Sequence, residues 1–168
     1  MKRNLALALA LGASLIPGIA AAGPAATAKA EIRALEDRFA AAFNAKDLDG
    51  IMKVYEPGPN LFVFDVVPPR QYVGWDAYRK DWQGFLGTFK GTIKATVSDL
   101  DIFVDGNMGY SHSIQHVTGT DTKGKPVDFA VRVTDVYRKI GGAWLIVHEH
   151  VSVPVDFDTG KPDLMSTP

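Results

Sequence analysis

RVTDVYRKIGGAWLIVHEHVSVP, residues 132–154, reads as two β-strands folded about a two-residue turn at Gly141-Gly142. A two-residue loop sets Ile140 opposite Ala143, and counting outward places Asp135 opposite His148 and Val133 opposite His150. Asp135 and His148 are therefore expected on one face.

Two more strands precede this hairpin, marked off by turn residues at Asp105-Gly106-Asn107 and at Thr122-Lys123-Gly124-Lys125. The expectation is a four-strand meander, roughly 91–104, 108–120, 127–139 and 143–153. An even-numbered loop between Asp121 and Pro126 would add His112 and His116 to the face of Asp135. That face would carry Tyr110, His112, Ile114 and His116 on one strand, and Phe129, Val131, Val133, Asp135 and Tyr137 on the next. Trp144, Ile146, His148 and His150 would complete it. The opposite face, with Ser111, Ser113, Gln115, Arg132, Thr134, Arg138 and Glu149, suits solvent or a subunit contact.

Upstream the periodicity changes. From Ala30, the residues Ile32, Leu35, Phe39 and Phe43 step by three and four along one helical face. Asp47 caps a second, short helix bearing Leu48, Ile51 and Tyr55, which Pro57-Gly58-Pro59 stops. Leu61-Phe62-Val63-Phe64-Asp65 is β-rich, ends on a carboxylate and is closed off by Pro68-Pro69. A third helix begins after Gly74, aligns Tyr78, Trp82 and Phe85, and ends at Gly87. Helices first and strands afterwards give an α+β layer structure over residues 30–154, followed by a polar tail, 155–168.

The remaining residues set the context. Lys2 and Arg3, the apolar run from Leu5 to Ile16 and the small residues Ala20-Ala21-Ala22 form a signal peptide, 1–22. A second small-residue site, Ala26-Thr27-Ala28, extends the possible leader to 1–28. A periplasmic or secreted location follows, with no membrane association once the leader is removed. The chain of 168 residues has no cysteine, so disulfide and thiolate chemistry are excluded. Its 18 basic against 19 acidic side chains provide no footprint for nucleic acid. A small-molecule ligand is the expected partner, and a homodimer the expected assembly.

An apolar concave wall with a few convergent polar groups is what a ligand cavity requires. Asp65, Asp135, His112 and His148 are the candidate catalytic groups, and Tyr78, Trp82, Tyr110, His116, Val133, Trp144 and His150 the candidate ligand contacts. A plainer reading stands beside this one. A histidine on a sheet commonly serves a structural hydrogen bond, Asp135 can hold a neighbouring donor, and the aromatic set can equally be core. No metal or other cofactor is expected, because no helical or cysteine ligand motif accompanies the histidines.

Phe39–Ile51, FAAAFNAKDLDGI, resembles the first-helix segment of ketosteroid isomerases and SnoaL-like proteins. Gly74–Arg79 (GWDAYR), Arg132–Lys139 (RVTDVYRK) and Trp144–Pro154 (WLIVHEHVSVP) resemble the SnoaL-like branch more closely. The resemblance covers about residues 30–154 and implies the nuclear transport factor 2-like fold, a cone-shaped curved antiparallel sheet wrapped by N-terminal helices around a cavity. It also implies acid–base chemistry, with Asp65 at the position of the base and Asp135 at that of a protonated acid donating to an oxyanion. Phe39 stands where the isomerases have a tyrosine, which removes one oxyanion donor and leaves His112 or His116 to replace it. The expected function is binding of a small apolar molecule, with proton transfer to or from it; the alternative is a non-catalytic carrier or dimerising module.

Overall fold

The computed structural model describes residues 23–166. The leader reading, 1–22, falls outside the described residues. Helix α1 spans Pro24–Asn44, with Pro24 at its first position, where a missing backbone N–H costs nothing. It starts earlier than the periodicity suggested, because the alanine-rich segment continues the helix and already buries Ala28. Asp47 caps α2 (Leu48–Met52) by accepting the Gly50 amide at 3.0 Å. Short strands β1 (Phe62–Phe64) and β2 (Tyr72–Val73) follow, then α3 (Trp75–Gly87).

Four long strands complete the chain: β3 (Lys94–Asp105), β4 (Met108–Thr120), β5 (Pro126–Ile140) and β6 (Ala143–Ser152). They form one sheet in the order β2-β1-β6-β5-β4-β3. The meander is antiparallel as expected, whereas β1 joins its edge parallel to β6. Helix α1 covers the concave face and buries Ile32, Leu35, Phe39 and Phe43 against it.

Two register details differ from the expectation, and they decide which residues point inward. Gly141 and Gly142 adopt positive φ, 57° and 88°, and Ile140 pairs with Ala143 as a two-residue turn demands. The pairing then slips: Tyr137 faces Ile146, but Val136 faces His148, leaving Val147 as a bulge. Beyond it Asp135 pairs with Glu149, not His148, and the inward set on β6 changes from Trp144 and Ile146 to Glu149 and Val151.

The β4–β5 loop is odd-numbered, because Thr120 pairs with Pro126 across residues 121–125. Asp121 shapes it by accepting the amides of Lys123 and Lys125, both at 2.8 Å. An odd loop reverses the face expected for β4, so Ser111 lies opposite Asp135 and His112 opposite Thr134.

The tail is anchored to the sheet. Because β6 ends at Ser152 opposite Arg132, the Ala130 amide has no β6 partner and donates instead to the Leu164 carbonyl at 2.8 Å. At the other end of β4, a Cβ on Gly109 would sit 2.8 Å from the Phe103 carbonyl oxygen and 3.2 Å from Ile32 Cδ1. Gly109→Val should therefore destabilise the protein by about 1–3 kcal/mol through overpacking, read as a lower urea midpoint. An unchanged midpoint would mean that α1 does not depend on this close approach.

Candidate functional site

One face of α3 presents Tyr78, Asp81, Trp82 and Phe85, spaced three and four apart, toward the concave sheet. Phe39 and Phe43 of α1 approach from the side, and the sheet contributes Gln115 and Val117 from β4, Val131 and Val133 from β5, and Glu149 and Val151 from β6. Asp65, Val66 and Val67 border the cavity on the β1–β2 connection, where both valines are exposed. The cavity measures about 260 Å³ and is mostly apolar, suited to a small molecule.

Glu149 is the central polar group of this wall. It is only 4% exposed, and its carboxylate accepts the Tyr55 hydroxyl at 2.8 Å and the Tyr78 hydroxyl on its other oxygen. The Tyr78 hydroxyl also lies 3.4 Å from Asp65 Oδ2, so it links the two cavity carboxyls. Burial pushes the Glu149 carboxyl up to about 7 despite the tyrosine donors that favour its charged form. Burial likewise raises Asp65, against a 2.6 Å hydrogen bond from the Val66 amide. Both tyrosine hydroxyls are held well above the usual phenol range, by burial first and by the neighbouring Glu149 charge second, and stay protonated as donors.

Behind Glu149 lies a second layer that does not reach the cavity. Asp135, 2% exposed, sits on the adjacent strand and is hydrogen-bonded to Glu149. Burial raises its pKa strongly, and the Glu36 and Glu149 charges raise it further, so Asp135 is the protonated partner and donates. Its Oδ1 has no partner among the described residues. Tyr137 donates to Glu36 Oε1 at 2.8 Å and shares a 2.7 Å hydrogen bond with Ser111. Glu36 is itself pushed up to about 7 by burial.

Of the residues singled out from sequence, Asp65, Tyr78, Trp82 and Val133 line the cavity, and Asp135 supports it from behind. The others require correction. His112, His116 and Tyr110 lie on the outer face because the β4–β5 loop is odd-numbered, and His148 and His150 because Val147 bulges. There Tyr110 stacks on Phe103 at 4.7 Å, His116 pairs with Asp128 at 2.5 Å, and His148 Nδ1 bonds the Phe62 carbonyl at 2.8 Å. His150 packs against Phe64, with ring centroids 5.6 Å apart. Trp144 points inward but belongs to the end of the sheet away from the cavity wall, where its indole donates to Glu31 at 2.8 Å.

Ser111, Ser113, Gln115 and Glu149, expected on the opposite face, are buried instead. Glu149 was missed although β6 carries a signal for it: the apolar positions run Trp144, Ile146 and then Val151, Val153, a change of phase that marks a bulge. Phe39 does stand in the cavity wall, edge-on to Trp82 at 5.6 Å, and the hydroxyls nearby come from Tyr55 and Tyr78.

Comparison with known proteins agrees with this architecture. No curated protein matches the sequence. Among solved structures, an NTF2-like protein of unknown function from Pseudomonas putida is 28% identical, with a TM-score of 0.78, covering 87% of this chain and all of that one. An NTF2-like superfamily protein from Salmonella enterica serovar Typhimurium is 21% identical, with a TM-score of 0.71 over 82% of this chain and 98% of its own. A candidate scytalone dehydratase from Novosphingobium aromaticivorans shares the fold at 18% identity, with a TM-score of 0.68 over 77% and 85%. The family model for the SnoaL-like domain matches residues 32–156, from the first buried turns of α1 to just past the end of β6. The chain thus belongs to the SnoaL-like domain family, within the NTF2-like superfamily.

Proposed function

We propose that this is an exported small-molecule-binding protein whose cavity carries out general acid–base chemistry on a small, mostly apolar substrate. The observation that carries the reading is a buried carboxyl, Glu149, that lines an apolar cavity beside the Tyr78 hydroxyl and is raised to about 7 by its burial. A group with that pKa can both take and return a proton at physiological pH. Glu149 is the proton-transferring residue, Asp65 is a second carboxyl at the mouth, and Tyr78 bridges them. Asp135 is a positioning residue that acts through Glu149.

Apolar residues dominate the cavity wall, and this favours a second reading, a carrier that binds without turnover. Mass spectrometry of small molecules released from protein purified out of its native compartment tests the shared premise. An apolar compound in stoichiometric amount is expected, and its turnover by the protein separates enzyme from carrier. A cavity that retains no compound and binds none of an apolar library would overturn both.

Export and assembly are separate parts of the proposal. The exported protein should begin near Gly23, or at Lys29 if the second site is used, as read by intact mass. Retention of Met1 would remove the leader from the account. A homodimer is proposed through the outer sheet face, where Phe64, Phe103, Met108 and Tyr110 are exposed. Light scattering should give twice the chain mass, and Tyr110→Glu should return a monomer.

A further inference from the structure

We infer that the cavity selects an apolar molecule bearing a protonated amine, because its wall combines an aromatic cluster with three carboxyl groups and, among the described residues, contains no lysine, arginine or histidine. The inference rests on the acid–base reading and supplies its substrate class. Asp65 faces the cavity from the β1–β2 connection, Asp81 from α3 and Glu149 from β6, with the Tyr78 hydroxyl between Asp65 and Glu149. Asp135 and Tyr55 back Glu149 and add no positive charge. A carboxylate or phosphate ligand would meet three carboxyl groups there, with no cation to compensate its lost hydration.

The walls suit a cation as well as the charges do. Trp82 sits at the centre of a set of rings, with Phe39 at 5.6 Å, Phe43 at 5.9 Å and Phe85 at 5.7 Å, at interplanar angles of 70° to 85°. Such edge-to-face packing turns ring faces in several directions, and a ring face attracts an ammonium group. An independent sign of a ligand comes from Trp82 itself. It lines the cavity, and its indole Nε1 is buried with no hydrogen-bond partner among the described residues. A buried N–H of this kind is satisfied when a polar group of a ligand accepts from it.

The charge of the ligand also bears on the chemistry. An ammonium group beside Glu149 favours the ionised carboxylate, which is the proton-accepting form. Arrival of the substrate would thus complete a base that the apolar surroundings alone hold half protonated near pH 7.

The test is a charge series on one aromatic frame: phenylethylamine, phenylethanol and phenylacetate, titrated calorimetrically into the full protein at pH 7. The amine should bind about tenfold or more tighter than the alcohol, and phenylacetate more weakly than either. In Glu149→Gln the preference for amine over alcohol should shrink to about twofold or less. Asp65→Asn should shrink it in the same direction, which keeps the test open if the first variant folds poorly. Equal or tighter binding of the alcohol or of phenylacetate by the wild type would overturn the amine inference while leaving the acid–base cavity standing. Failure of all three to bind would overturn the inference, while the proposed function is decided separately by the co-purified compound and the apolar library.

Discussion

Glu149→Gln is expected to yield a folded protein that still binds its substrate, within about tenfold, but turns it over roughly 10²–10⁴-fold more slowly. Glutamine keeps the size of the side chain, and its carbonyl can still accept a hydroxyl proton from Tyr55 or Tyr78. What it lacks is the ability to gain and lose a proton. The loss should appear in kcat far more than in KM, since proton transfer is lost outright while the weakened attraction for a substrate ammonium group costs only about tenfold in binding. Wild-type kcat/KM should bend near pH 7, where the Glu149 carboxyl titrates, and the bend should vanish in the variant. Asp65→Asn is the necessary companion, because Asp65 lines the same cavity. Full turnover by Glu149→Gln with loss in Asp65→Asn would move the base to the cavity mouth. Full turnover by both would leave the carrier reading.

The second large effect is on stability, which should fall as pH rises from about 5 to 8. Glu36, Asp135 and Glu149 form a buried acidic cluster bridged by Tyr55, Tyr78, Tyr137 and Ser111. Lys, Arg and His take no part in these hydrogen bonds among the described residues. The cluster therefore folds by keeping protons. Glu36 and Glu149 titrate at about 7 in the folded protein, against 4.5 when solvated, so between those values the folded chain binds more protons than the unfolded one. Stability is then fully present below the solvated value and is lost as pH climbs through the folded value.

One such group contributes about 3 kcal/mol over the window, enough to lower the melting temperature by roughly 10 °C in a domain of this size. Thermal melts from pH 5 to pH 8 measure the slope directly. Glu36→Gln should flatten it, because the amide can still accept the Tyr137 hydroxyl without a proton to lose. A wild-type melting temperature that rises across this window would mean that the buried acids are compensated by charges not identified among their partners.

Several parts of the molecule were legible in the order of residues because local chemistry sets them. Asp47 followed by Leu48 and Ile51 specifies a capped helix whatever surrounds it, and Gly141-Gly142 closes a two-residue hairpin because both positions require positive φ. Alternation along β5 correctly placed Val131, Val133, Asp135 and Tyr137 inward, and the spacing of Tyr78, Trp82 and Phe85 correctly aligned one face of α3. Those local signals, with the motifs shared by the SnoaL-like domain, were sufficient for the architecture.

Tertiary structure alone decided which face of β4 and of the far half of β6 turns inward. In a strand, one residue more or less exchanges every side chain between faces, so the outcome depended on a single extra residue in each case. Val147 bulges opposite the Val136–Tyr137 step, and the β4–β5 loop has five residues where an even number was expected. The bulge shows in the sequence only as a change of phase between Ile146 and Val151, and the length of the loop not at all. Together they moved four histidines to the outer face and brought Glu149 into the cavity beside Asp135, Tyr55 and Tyr78. The inward side of β4 is also polar, with Ser111, Ser113 and Gln115, so its hydrophobic pattern could not report the register. Their burial makes sense only once Tyr137 and Glu36 arrive to bond with Ser111, and α3 arrives to close the space that Gln115 lines. Polar burial of this kind is specified by partners distant in the chain, and folding is what brings them together.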